Sequence, residues 1–176
     1  QSTWGQVGDA NPGLDETGRA QAQAVSETLL QMPERPTLVI SSPLRRCRET
    51  AEPFAAALGV DLEIDPTFGE IPTPASVSHE HREAWLRQAF AGRWSEIQGD
   101  LDYEDWRRRI AQGLAQRPGA AVFSHYVAIN AAVSALTGSD LVLNFRPDHT
   151  SVTSFELADG HLSLVELGRQ AETRVL

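Results

Sequence analysis

Apolar positions along the chain alternate between helical and strand-like spacing. Ala20, Ala24, Val25 and Leu29 recur at helical intervals behind Asp15 and Thr17, either of which can cap a helix running to about Leu30. The Pro33–Pro36 turn ends that helix, and the β-branched run from Thr37 to Ser41 predicts a buried strand. Ser42-Pro43 starts a second helix that reaches about Leu58, with Pro43 in its first turn, Pro53 kinking it and Gly59 stopping it. Val60–Ile64 is a second strand, and a proline-bearing loop follows from Asp65 to Ser78. Helical stretches at about His81–Ala91 and Tyr103–Gln116 each carry a tryptophan anchor, Trp85 and Trp106. Gly119–Ser124 is a third strand running straight into a helix from about Val127 to Leu136. The end differs: Ser151–Leu157 and His161–Leu167 flank Ala158-Asp159-Gly160, a hairpin signal. Strand–helix repeats followed by an antiparallel pair predict a three-layer α/β/α sandwich, its sheet mostly parallel with a C-terminal antiparallel hairpin.

Composition narrows the class. At 176 residues with 41% hydrophobic and 22% charged residues, the chain suits one domain, 1–176. No apolar run approaches the ~20 residues of a membrane span, so no membrane partner is expected. The single cysteine, Cys47, forms no internal disulfide, and a cytoplasmic location is the expectation. The net charge of -9 argues against sequence-independent binding of nucleic acid. All 15 basic residues are arginine, which excludes Schiff-base lysine chemistry, pyridoxal phosphate attachment and a phosphate-loop lysine. An anion gripped by this chain is therefore held by arginine, histidine or backbone amides.

Ligands of open α/β sheets sit beyond the carboxyl ends of the strands. Three segments occupy such places. Ser41-Ser42-Pro43-Leu44-Arg45-Arg46 joins a strand to a helix, where free amides and an arginine suit a phosphate. Ser42 serves equally as a plain helix cap there. Phe123-Ser124-His125-Tyr126 is a second junction, and its histidine can donate to an anion or shuttle a proton. In Phe68-Gly69-Glu70-Ile71-Pro72, a carboxylate among apolar neighbours is a candidate general acid. The histidine spacing of His79-Glu80-His81 does not suit zinc, Ser124 lacks a Gly-x-Ser-x-Gly elbow, and Arg107-Arg108-Arg109 reads as a charge-balanced exposed face.

These blocks together resemble the histidine phosphatase superfamily, the phosphoglycerate-mutase-like enzymes. Gly13 to Ala22 is similar to that family's Leu-Thr-x-x-Gly-x-x-Gln-Ala segment, and Ser41 to Ala51 to its Ser-Ser-x-Leu-x-Arg-x-x-x-Thr-Ala block. Glu70, Ser124-His125-Tyr126 and His149–Thr153 follow in the family's order. Gln1-Ser2-Thr3-Trp4-Gly5 resembles the continuation of the family's Arg-His-Gly motif, with Gln for Glu and Gly for Asn. The resemblance thus places the nucleophilic histidine, its arginine and a first strand immediately ahead of Gln1.

What the resemblance implies is hydrolysis of a small-molecule phosphate ester through a phosphohistidine, with no metal and no cofactor. Arg46 and His125 would hold the phosphoryl oxygens, with Arg45 second to Arg46, and Glu70 would serve the leaving group and then water. Gln1 and Ser2 would join the phosphate site, and residues 66–116 would form a cap. The near alternative is a phosphoglycerate mutase, disfavoured by the short Glu70-to-His125 stretch. A non-catalytic phospho-ligand binder is the reading from another class. Substrate identity and the choice between monomer and homodimer stay open.

Overall fold

Three short parallel strands lie side by side in the computed structural model, which describes residues 11–172. Leu38–Ser41 (β1) is central, with Glu63–Ile64 (β2) on one edge and Ala120–Phe123 (β3) on the other. Leu38 lies opposite Ala120 and Ser41 opposite Phe123, so β1 and β3 end level. The Ser42 N–H donates to Phe123 O at 2.9 Å, extending that alignment into the loops beyond. Of the strand expected over Val60–Ile64, only the last two residues pair.

The alternation of side chains along a strand assigns the two faces of this sheet. Val39 and Ala121 point into a core formed with Val25, Leu29, Phe54 and Ala55, from Glu16–Leu30 (α1) and Arg45–Leu58 (α2). Ile40, Ala120 and Val122 face the opposite core, built with Phe68, Trp94, Ile110, Val127 and Ala131. That second layer comprises Arg82–Phe90 (α3), Tyr103–Ala115 (α4) and Tyr126–Thr137 (α5). Gly113 matters here, because a Cβ at that position would come within 3.1 Å of the Phe68 ring. The three layers are those the strand–helix pattern predicts.

Three local details depart from expectation. In α1 the buried face is Gly18, Ala22, Val25 and Leu29, while Ala20 and Ala24 are exposed; alanines are too small to mark a face alone. Helix α2 begins at Arg45, leaving Pro43 in the preceding loop, because Leu44 remains extended and Ser42 Oγ accepts its N–H. Arg107 is tucked inward instead of lying on an exposed face: it pairs with Glu104, donates to Ser139 O and stacks over Trp94.

Ser154–Ala158 (β4) and His161–Glu166 (β5) form the expected hairpin, with Asp159 and Gly160 at φ 52° and 78°. Positive φ at both central positions is what a tight two-residue turn requires, and glycine meets it without strain. Among the described residues the hairpin is a separate two-stranded sheet. Phe155 packs against the core cluster that includes Ile40 of β1 and Val127 of α5. No described helix is long and apolar enough to cross a membrane.

Candidate active site

The level ends of β1 and β3 bring two loops together, and a third is fastened onto them. Asp65 N–H donates to Ser41 O at 2.9 Å, and Ser124 Oγ donates to Phe68 O at 2.7 Å. Phe68 and Ile71, each 1% exposed, anchor this third loop on either side of Glu70. Glu70 is thereby carried over the strand ends although it belongs to no regular element.

Arg46, Glu70 and His125 converge at this point. Arg46 Nη2 donates to Glu70 Oε2 at 2.8 Å and lies 3.2 Å from His125 Nδ1, which is 3.5 Å from the same carboxylate oxygen. On the other side of the ring, Nε2 is 2.7 Å from Ser42 Oγ, and both residues are buried. Arg46 is a donor, so it suits a lone pair on Nδ1; the ring proton then sits on Nε2 and Ser42 Oγ accepts it. This arrangement turns Nδ1 toward the arginine and carboxylate. His125 occupies the N-cap position of α5 without capping it, which frees its imidazole for these contacts.

Burial pushes the His125 imidazole down to about 4, against the Glu70 carboxylate, with Arg46 and Arg82 adding to the depression. The ring is therefore neutral at pH 7. Cys47 lines the same cluster, its Sγ 3.6 Å from His125 Nε2 and 3.4 Å from Ser124 O. Burial pushes this thiol up to about 12, so it packs as a neutral group and is no nucleophile.

Arg45 turns away. Its Nε donates to Glu49 Oε1 at 2.6 Å, and Glu49 Oε2 accepts from Leu14 N–H, which ties α2 to the loop ahead of α1. The amides at the start of α2 are also engaged: Arg45 N–H donates to Asn11 Oδ1, and the N–H groups of Cys47 and Arg48 donate to Leu44 O. Side chains, more than these amides, face the cluster. Gln1 and Ser2 lie outside the described residues. Reasoning from sequence missed Ser42 as a partner of His125, and it missed Cys47 and Arg82 altogether; for Ser42 the signal was its place at a strand end.

A sequence model of the histidine phosphatase superfamily (branch 1) matches residues 1–170, and the chain belongs to that superfamily. An uncharacterized protein of Mycobacterium tuberculosis, Rv0525, is 34% identical over 98 residues, covering 50% of this chain and 48% of that protein. The matched stretch thus spans about half the length of the curated relatives. Solved structures share the fold. Phosphoserine phosphatase from Entamoeba histolytica, in complex with 3-phosphoglyceric acid, superposes with a TM-score of 0.76 at 20% identity, covering 100% of this chain and 95% of that one. Mycobacterial glucosyl-3-phosphoglycerate phosphatase gives 0.69 at 20% identity, covering 97% and 95%. Bacillus stearothermophilus YhfR gives 0.72 at 18% identity, covering 93% and 90%.

Proposed function

We propose that this chain is a phosphomonoester hydrolase that acts on a small phosphorylated metabolite through a phosphohistidine intermediate. The nucleophile is the histidine that the resemblance places immediately ahead of Gln1. Its nitrogen bonds to phosphorus as the P–O bond to the alcohol breaks, and Glu70 supplies the proton that the departing alkoxide needs. Glu70 then takes a proton from water, whose oxygen bonds to phosphorus as the N–P bond breaks, releasing inorganic phosphate. Arg46 and His125 hold the equatorial oxygens, where negative charge builds. The dianionic group supplies the countercharge that favours a proton on His125 Nδ1. Gln1 and Ser2 complete the phosphate contacts, and residues 66–116 cover the leaving group. The reaction as written needs no metal.

The observation that carries this reading is the meeting of Arg46, Glu70 and His125 within 3.5 Å at the ends of β1 and β3. Membership of the superfamily supports it, as do the phosphatase names of several fold neighbours, which act on small esters. The test is turnover of a panel of phosphate esters by the protein with its native residues ahead of Gln1, with acid-quench trapping of labelled enzyme. Phosphate release together with an acid-labile, base-stable phosphoenzyme is expected. Transfer between the two hydroxyls of a phosphoglycerate without net release would replace hydrolysis by mutase action. Ester binding without turnover would reduce the chain to a phospho-ligand binder.

A further inference from the structure

Glu70 belongs to no regular element, yet the proposed chemistry needs its carboxyl within hydrogen-bond reach of one ester oxygen. A misplaced group is a poor catalyst: a displacement of ~1 Å can cost ~100-fold in rate. Two hydroxyls meet this need, one on either side of Glu70. Ser124 Oγ donates to Phe68 O at 2.7 Å, two residues before it, and Tyr103 Oη donates to Pro72 O at 2.7 Å, two residues after it.

The two donors come from different parts of the molecule. Ser124 lies between β3 and His125, so its bond ties the Glu70 loop to the strand end that carries the imidazole. Tyr103 is the first residue of α4 and is buried, with its ring 5.8 Å from Trp85 of α3. Gly99 lets the chain ahead of α4 close onto the loop: a Cβ there would lie 2.9 Å from Pro74 Cγ and 3.4 Å from the Tyr103 ring. Burial of Phe68 and Ile71 already anchors this loop, but apolar contact has no direction and leaves the peptide planes free to tilt. A hydrogen bond to a carbonyl weakens steeply with angle, so the two hydroxyls fix those planes. Both are neutral and add no charge beside the carboxylate. Burial and the charge of Asp100 push the Tyr103 phenol up to about 12, against Arg82, so it stays a donor at any working pH.

We propose that Ser124 and Tyr103 are positioning residues for the proton donor: by holding the carbonyls of Phe68 and Pro72, they set where the Glu70 carboxyl stands over the leaving oxygen. The inference rests on the phosphatase reading above, with Glu70 as the donor. Each hydroxyl acts through Glu70 and not on the ester itself. Their effect is therefore confined to esters whose leaving group needs a proton, and it vanishes when Glu70 no longer supplies one.

The experiment measures kcat/KM on glycerol 3-phosphate, an alkyl ester, and on p-nitrophenyl phosphate, for the protein with its native residues ahead of Gln1. The variants are Ser124→Ala, Ser124→Thr and Tyr103→Phe, which keeps the ring and its packing, each also combined with Glu70→Gln. The alkyl-to-aryl ratio reads the proton donor, and it cancels any general loss of folded protein. Ser124→Ala and Tyr103→Phe are each expected to lower that ratio by ~5-fold or more, a part of the ~100-fold that a positioned acid contributes. Ser124→Thr, which keeps a hydroxyl, should stay near the wild-type ratio. In the Glu70→Gln background none of the three should change it further, because residues acting through one group are not additive. An unchanged ratio in Ser124→Ala or Tyr103→Phe overturns the role of that residue, and an equal drop in the Glu70→Gln background overturns both. Glu70→Gln alone is the control: if it lowers the ratio while the hydroxyl variants do not, only the positioning roles fail. If it leaves the ratio unchanged, Glu70 is not the donor and this proposal falls with it. If the wild type turns over neither ester, the phosphatase reading itself fails.

Discussion

At the level ends of β1 and β3, side chains are closed in and partnered to one another: Ser41, Ser42 and His125 are at most 5% exposed, and each has a polar contact inside the cluster. Between Pro72 and Asp102 the chain is held more sparingly. It has a single α-helix of 9 residues, short 3₁₀ turns, and ties such as Arg82 to Thr73 and Ala75 N–H to Asp100. Its described buried residues are Pro74, Ala89 and Trp94. Rigid placement suits the group common to every phosphate ester. On the proposed phosphatase reading, a looser stretch over the leaving group suits the part of the ester that differs between substrates.

Substitutions should separate these two regions. The largest expected losses belong to the strand ends: Arg46→Ala and His125→Ala each lower turnover of p-nitrophenyl phosphate by ~100-fold or more, the scale of removing a donor that stabilises transition-state charge. Steady-state kinetics on the native protein checks this. Glu70→Gln sharpens the assignment of the proton donor. Hydrolysis of an alkyl phosphate should fall at least ~10-fold further than that of p-nitrophenyl phosphate, whose leaving group scarcely needs a proton. Equal losses on both esters would remove Glu70 from that role.

Removing packing from beneath the loop tests whether Glu70 is held by its neighbours. Phe68→Ala should cost about 3–5 kcal/mol of stability by denaturant unfolding, as for other fully buried aromatics. Ser42→Ala should cost about 1–3 kcal/mol, because the buried Nε2–H of His125 loses its acceptor. Ser42→Thr, which keeps a hydroxyl, should recover most of this.

The depressed pKa of His125 carries a pH dependence of definite sign. The folded protein holds the ring neutral down to about 4, whereas the unfolded chain protonates it near the ordinary imidazole value of 6.5. Between these values the unfolded state binds the extra proton, so stability falls as pH is lowered through this window and levels off below it. A difference of that size corresponds to about 3 kcal/mol. The dependence should be weaker in His125→Gln, with chemical denaturation at pH 7 and pH 4.5 as the measurement. Glu70, Arg46 and Cys47 face this ring and the charge of Arg82 acts on it, so the comparison with His125→Gln isolates the contribution of the imidazole.

Strands β1 and β3 and helices α1, α4 and α5 were legible in the sequence because their apolar positions repeat and their ends carry clear breakers. Strand β2 was legible only in part, since a two-residue edge strand has no period to detect. The strand-end rule located the segments of Ser42 and Arg46, of Glu70 and of His125, and the family resemblance singled out Arg46, Glu70 and His125. Neither showed the Ser42–His125 bond, which joins positions 83 apart and depends on the register of two strands.

Whether Arg46 and His125 form the proposed phosphate pocket is read by titrating the protein with inorganic phosphate while observing the imidazole nitrogens of His125 by NMR. Saturable shifts are expected at both nitrogens at pH 7, with Nδ1 moving from its unprotonated toward its protonated value, and this response should be lost in Arg46→Ala. Imidazole shifts that stay unchanged at saturating phosphate, or that respond equally in Arg46→Ala, would contradict that pocket.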